Sequence, residues 1–147
     1  MNRKEQSFFN FEAAPCAVLH YSEIGLKGRN RPIFVDRLRH QLEKTTRPFG
    51  TGRVQKLPGR LLLGLGEEVD WPEVCEALTR VFGLAYFARA LRVPLDLDFV
   101  CEAALKMIAP QHISTFRVRT RKGFESVPIS TREWNTIIGG QIQARRH

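Results

Sequence analysis

Apolar residues recur along this chain first with a period of two and then with a period near four, and the switches between the two outline its elements. Cys16–Tyr21, with Val18 and Leu19, predicts a first strand. It runs into a polar, glycine-punctuated loop over Ser22–Arg31. Phe34, Leu38 and Leu42, with Val35 beside them, then make one apolar stripe, and Asp36, His40 and Glu43 fall on the opposite side. That spacing predicts an amphipathic helix. Asn30 is placed to cap it, and Pro32 sits in the first turn, where a missing N–H costs no helical hydrogen bond. Pro48, Gly50 and Gly52 end the helix. Arg53–Leu57 and Arg60–Leu65 predict two strands joined at Pro58-Gly59, since proline presets the first turn position and glycine accepts positive φ at the second. A second helix starts with Asp70 as cap, buries Val74, Leu78 and Val81, and stops at Gly83. Ala85–Val93 predicts a strand.

The order to this point is β-α-β-β-α-β, which predicts an α+β ferredoxin-like fold, an antiparallel sheet with two helices on one face. Pro94 and Asp96-Leu97-Asp98 mark a boundary. A third helix carries Leu97, Val100, Cys101, Ala104, Leu105 and Ile108 and closes at Pro110. Thr115–Arg121 alternates cleanly and predicts a strand. After a loop with Gly123 and Pro128, Ser130-Thr131-Arg132-Glu133 has the form of a capping box and opens a last helix. The chain has no internal repeat and no low-complexity segment.

At 147 residues the chain can hold one ordinary domain or two very small ones, and 43% hydrophobic residues with ten phenylalanines suffice for a core. The net charge of +8 and a pI near 10.0 point to a polyanionic partner, nucleic acid being the commonest, with a merely solvated basic surface as the alternative. Cys16, Cys75 and Cys101 are widely spaced and form no C-x-x-C pair, which argues against a disulfide framework or a cysteine zinc site. They read as small core residues, with a single reactive thiol left open. The longest apolar runs, such as Leu61–Leu65, are far too short to span a bilayer, and Met1–Pro15 does not read as a signal peptide. A cytoplasmic setting without a membrane partner is the expectation.

Two basic features could carry function. In Phe116-Arg117-Val118-Arg119-Thr120-Arg121 the alternation puts Arg117, Arg119 and Arg121 on one side and Phe116 and Val118 on the other. A core needs only the apolar side. A row of guanidinium groups would hold phosphates, and Lys122 and Arg132 extend it; an edge strand guarded by charge is the competing reading. The second feature is Lys27-Gly28-Arg29-Asn30-Arg31 just before a helix, where free N–H groups and the helix dipole favour an anion. Here Lys27, Arg29 and Arg31 would supply charge while Gly28 and Asn30 shape the loop. A plain basic connector fits as well. The loop is not a Walker A sequence. Glu23 has no carboxylate or histidine near it in sequence to make it a general base, and His20, His40, His112 and His147 lack ligand spacing, so no metal site is expected.

The stretch His20–Arg31, followed by Phe34, resembles the opening motif of bacterial tRNA 4-thiouridine synthetases, the thiamine-biosynthesis-type tRNA sulfurtransferases. The likeness continues through Gly59–Leu63, Val81–Leu84, Phe116–Lys122 and Ile138–Ile142, in family order. It implies an N-terminal extension over 1–15, a ferredoxin-like domain over 16–93 and a THUMP domain over 94–147. THUMP is an RNA-binding module that holds the acceptor end of tRNA. The sequence departs from the family over Gly123–Pro128. It also ends at His147, where family THUMP domains continue with further strands and then a PP-loop ATP pyrophosphatase domain, which implies an incomplete α/β THUMP domain.

The resemblance therefore implies a tRNA-binding portion that positions tRNA for thiolation and is not an enzyme by itself. No cofactor is expected in this chain, ATP belonging to the PP-loop domain. The implied partners are tRNA, a separate or missing PP-loop domain and a cysteine desulfurase, with homodimer formation left open. The alternatives are a non-catalytic adaptor or oligomerisation module acting through protein contacts, and an enzyme using a lone cysteine.

Overall fold

The computed structural model describes residues 14–22, 28–66, 68–122 and 130–145. The chain enters a strand β1 (Ala14–Tyr21), whose inward positions Ala17, Leu19 and Tyr21 are buried. Helix α1 (Asn30–Thr46) follows and buries Val35, Leu38 and Leu42, the stripe its spacing predicts. A short 3-10 turn (Arg47–Phe49) ends at Gly50, which takes φ 81°. Strands β2 (Val54–Leu57) and β3 (Arg60–Gly64) form the expected hairpin, with Gly59 at φ 75°. Helix α2 (Trp71–Thr79) starts on Asp70, whose carboxylate accepts from the Glu73 N–H at 3.3 Å. Strand β4 (Leu84–Arg92) completes a sheet of order β2-β3-β1-β4, antiparallel throughout.

This is the predicted α+β ferredoxin-like arrangement. Leu19 opposite Leu61 on one side and Phe87 on the other centres the apolar layer, which Val35, Leu38, Leu42, Val74 and Leu78 cover from the helices. The inward hydroxyl of Thr46 has its hydrogen bonds made locally. It donates to the Leu42 carbonyl at 2.8 Å and accepts from Thr51 at 2.7 Å. Glu43, on the polar side of α1, accepts the Val54 N–H at 3.0 Å and so ties the helix to the edge strand.

Two expectations change here. Asn30 does not cap α1; Arg29 takes the capping position with no side-chain bond, and Asn30 is already helical. Gly28 at φ 68° lets a turn close from the Gly28 carbonyl to the Arg31 N–H, so the helix begins earlier than the cap signal suggests. The second helix likewise stops at Thr79 rather than at Gly83, which sits in the following loop at φ 101°.

Contacts divide the chain after Arg92, into a unit of Ala14–Arg92 and another that takes in the residues from Val93 onwards. In the latter, helix α3 (Leu97–Ile108) is capped by Asp96, and helix α4 (Thr131–Arg145) starts where Ser130 accepts from the Glu133 N–H at 3.2 Å. Cys101, Trp134, Ile138 and Ile142 form the buried cluster, with Leu97, Val100, Leu105 and Val118 packed on it. Between the helices, the expected strand at Thr115–Arg121 is absent: the segment is irregular. Alternation dictates which side chains face inward, but a strand also needs a neighbour for its backbone groups. Among the described residues no strand pairs with this one.

Candidate nucleic-acid interface

The basic segment keeps its facing without its ladder. Val118 is half-buried in the cluster under α4, close enough that a Cβ on Gly139 would lie 3.8 Å from its Cγ2. The Thr120 N–H donates to Asn135 Oδ1 at 2.7 Å. These two anchors leave Arg117, Arg119 and Arg121 exposed on the other side, with Lys122 exposed beyond them and Arg132 exposed in the first turn of α4. Phe116 remains 40% exposed, so the inward set is Val118 and Thr120 rather than Phe116 and Val118. Asn135 was not foreseen as a positioning residue, because no local pattern links it to Thr120.

At the start of α1 the picture differs. Arg29 is exposed, while the Arg31 guanidinium donates to the Tyr21 hydroxyl at 3.3 Å and lies 6.0 Å from that ring's centroid. Arg31 is thereby held against the end of β1. Gly28 and Asn30 flank this turn, and Lys27 lies outside the described residues, as does Glu23. Among the described residues the first turn carries no acidic residue and no side-chain cap. The two basic features lie in different units.

Four of the described cationic residues are tied up in ion pairs. Arg39 pairs with Asp36 and Glu43, Lys56 with Asp36, Arg80 with Glu76 and Arg145 with Glu102. The hydrogen bond from Lys56 holds the Asp36 carboxyl below the usual carboxylate range. Among the described residues, Arg29, Arg117, Arg119, Arg121, Lys122 and Arg132 have no ion-pair partner, as is also true of Arg37, Lys44, Arg47, Arg53, Arg60, Arg89, Arg92 and Lys106; the row at 117–121 is distinguished by its alternate spacing. Cationic groups left without acids and exposed in a row are suited to phosphate oxygens.

The cysteines are not poised for chemistry. Cys16 and Cys101 are buried, Cys75 is half-buried, and burial pushes all three thiols above their ordinary value, which leaves little thiolate at neutral pH. Among the described residues no cluster of His, Cys, Asp or Glu could hold a metal ion, and no helix is long and apolar enough to cross a membrane.

Residues 16–88 match the ThiI ferredoxin-like domain. This part of the chain belongs to that family. Beyond the ThiI ferredoxin-like domain, similarity extends over 85% of the chain to probable tRNA sulfurtransferases, 34% identical in Bacillus licheniformis and 30% identical in Acetivibrio thermocellus. The chain spans about a third of the length of these relatives, 31% and 33%. A crystal structure of a 4-thiouridine synthetase in complex with RNA and ATP superposes with a TM-score of 0.77 at 27% identity, over 90% of this chain and 33% of that one. A Pyrococcus horikoshii protein shares the fold, with a TM-score of 0.75 at 22% identity, over 88% of this chain and 44% of its own.

Proposed function

We propose that this chain is the tRNA-holding part of a tRNA 4-thiouridine synthetase, in which residues 94–147 belong to a THUMP domain. It positions tRNA for thiolation by a PP-loop catalytic domain lying outside these residues. That domain binds the ATP and receives sulfur from a cysteine desulfurase; this chain contributes binding and orientation. The observation that carries the reading is the row Arg117, Arg119 and Arg121, turned outward by Val118 and Thr120 and without acidic partners among the described residues. The structural relative bound to RNA supports the choice of polyanion. Lys122 and Arg132 extend the row, and Lys27, Arg29 and Arg31 form a second contact around Gly28 and Asn30. Contacts of this kind set position rather than read bases.

Binding of tRNA measured across a salt series tests this. Affinity should fall steeply with salt, and changing Arg117, Arg119 and Arg121 together to alanine should flatten the log–log slope by about two to three units, at roughly 0.9 per lost duplex phosphate contact. At moderate salt the variant should bind about tenfold or more weakly, with an unchanged circular dichroism spectrum. Salt-independent binding, or a triple variant that binds like the parent, would refute the reading.

A further inference from the structure

In the unit beyond Arg92, the basic segment and helix α4 meet at two points. Val118 is half-buried beside Gly139, and the Thr120 N–H donates to Asn135 Oδ1 at 2.7 Å. On the helix, Asn135 and Gly139 are one turn apart, about 6 Å of rise for four residues. On the segment, Val118 and Thr120 are two residues apart, at most about 7 Å of chain. The two spacings match, so the segment lies along one turn of α4 and runs against the direction of the helix. Exposure alternates accordingly: Arg117, Arg119 and Arg121 are exposed, while Val118 and Thr120 are half-buried.

The two contacts differ in what they fix. An apolar side chain beside a glycine can rotate without losing much contact, because dispersion and hydrophobic burial are not directional. A hydrogen bond is directional, and here its donor belongs to the backbone itself. Among the described residues no strand takes the Thr120 N–H, so the Asn135 oxygen does for this residue what a neighbouring strand would do. A shift of one residue would turn Val118 and Thr120 outward and bring arginines toward α4. Asn135 is half-buried on the rim of the buried face, next to the buried Trp134. Nothing in the helix calls for asparagine at this place, since alanine and most other residues favour helix more.

We propose that Asn135 is a positioning residue for phosphate binding: by holding the Thr120 N–H it fixes the side of the segment from which Arg117, Arg119 and Arg121 project. The proposal rests on the RNA-binding reading and adds to it what keeps the row in place. Guanidinium groups on a chain already held in one phase lose less conformational freedom when they meet an anion. Without the bond the same charges remain, but ordering of the segment falls to the binding step. Loss of Asn135 therefore weakens binding without changing the number of phosphates contacted.

The test is a cycle on the full chain: Asn135→Ala, the triple change of Arg117, Arg119 and Arg121 to alanine, and both together, each titrated with tRNA across a salt series. Alanine favours the helix more than asparagine, so α4 and its circular dichroism signal are kept. Asn135→Ala should bind about three- to tenfold more weakly at every salt concentration, with the log–log slope of the parent. In the triple background the same change should alter affinity by less than about twofold, because the groups it positions are gone. The Thr120 amide resonance should shift and its hydrogen exchange should quicken in Asn135→Ala. Asn135→Gln keeps a neutral amide oxygen, and where it restores the Thr120 resonance it should restore the affinity. An Asn135→Ala chain that binds tRNA like the parent, or a change that weakens the triple variant by the same factor, overturns the proposal and leaves the tRNA reading standing. So does an Asn135→Gln chain with the resonance restored and the affinity still low. A triple variant that binds like the parent overturns both.

Discussion

The two units solve the same problem with unequal means. Ala14–Arg92 closes a four-stranded sheet under two helices, and every strand finds a partner for its backbone. Among its described residues, the unit beyond Arg92 has two helices around Cys101, Trp134, Ile138 and Ile142, and a basic segment held to α4 by one side chain and one hydrogen bond. In the first unit, the acids Asp36, Glu43 and Glu76 are held in internal pairs with Lys56, Arg39 and Arg80. In the second, the arginine row is spent on nothing inside. What sets the second unit apart is that three unpaired guanidinium groups stand at alternate positions of one short exposed segment, Arg117, Arg119 and Arg121.

The comparison can be broken at its cores. Leu19 is fully buried between Leu61 and Phe87, so Leu19→Ala should cost about 2–5 kcal/mol by lost transfer energy and an unfilled cavity. Ile138→Ala should fall at or below the low end of that range, because a cluster of four buried residues can collapse into the space. Urea denaturation of both variants measures this. Equal losses would show that the second unit is packed as firmly as the first.

A smaller effect tests the junction between α2 and β4. Gly83 has φ 101°, and a Cβ there would lie 2.9 Å from Phe34 Cζ. Gly83→Ala should therefore cost about 1–3 kcal/mol from backbone strain, in addition to whatever shift Phe34 must make. The loss should appear as a lower urea midpoint with an unchanged slope. A neutral substitution would mean that the loop can relax to negative φ without disturbing the sheet.

What was legible in the sequence follows the same division. The alternating Val18–Leu19 run, the stripe through Phe34, Leu38 and Leu42, the Pro58-Gly59 turn and the Asp70 cap each act over a few residues, and the ferredoxin-like order followed from them. Gly28 overrode the cap signal of Asn30, because positive φ one turn earlier changes where the helix begins. At Thr115–Arg121 the alternation correctly placed Val118 inward and the three arginines outward, yet a ladder depends on a second strand that local pattern does not supply. The anchors Tyr21 under Arg31 and Asn135 under Thr120 were illegible for a related reason: each pairs residues brought together only by the fold.

The smallest expected effect lies at Trp134, and it bears on how complete the second core is. The side chain is buried, yet its Nε1 has no hydrogen-bond partner among the described residues. Two terms oppose each other in Trp134→Phe. Losing part of the indole removes apolar contact and leaves a cavity, which destabilises. Removing an unpaired buried N–H relieves a desolvation penalty of about 1–3 kcal/mol, which stabilises. The sum should be near zero, within about 1 kcal/mol, whereas a well-satisfied tryptophan would cost clearly more. Denaturation followed by circular dichroism reads the difference without relying on the fluorophore removed. A loss of about 3 kcal/mol or more would mean that the indole N–H is satisfied in solution, and the contrast between the two cores would then rest on the basic segment alone.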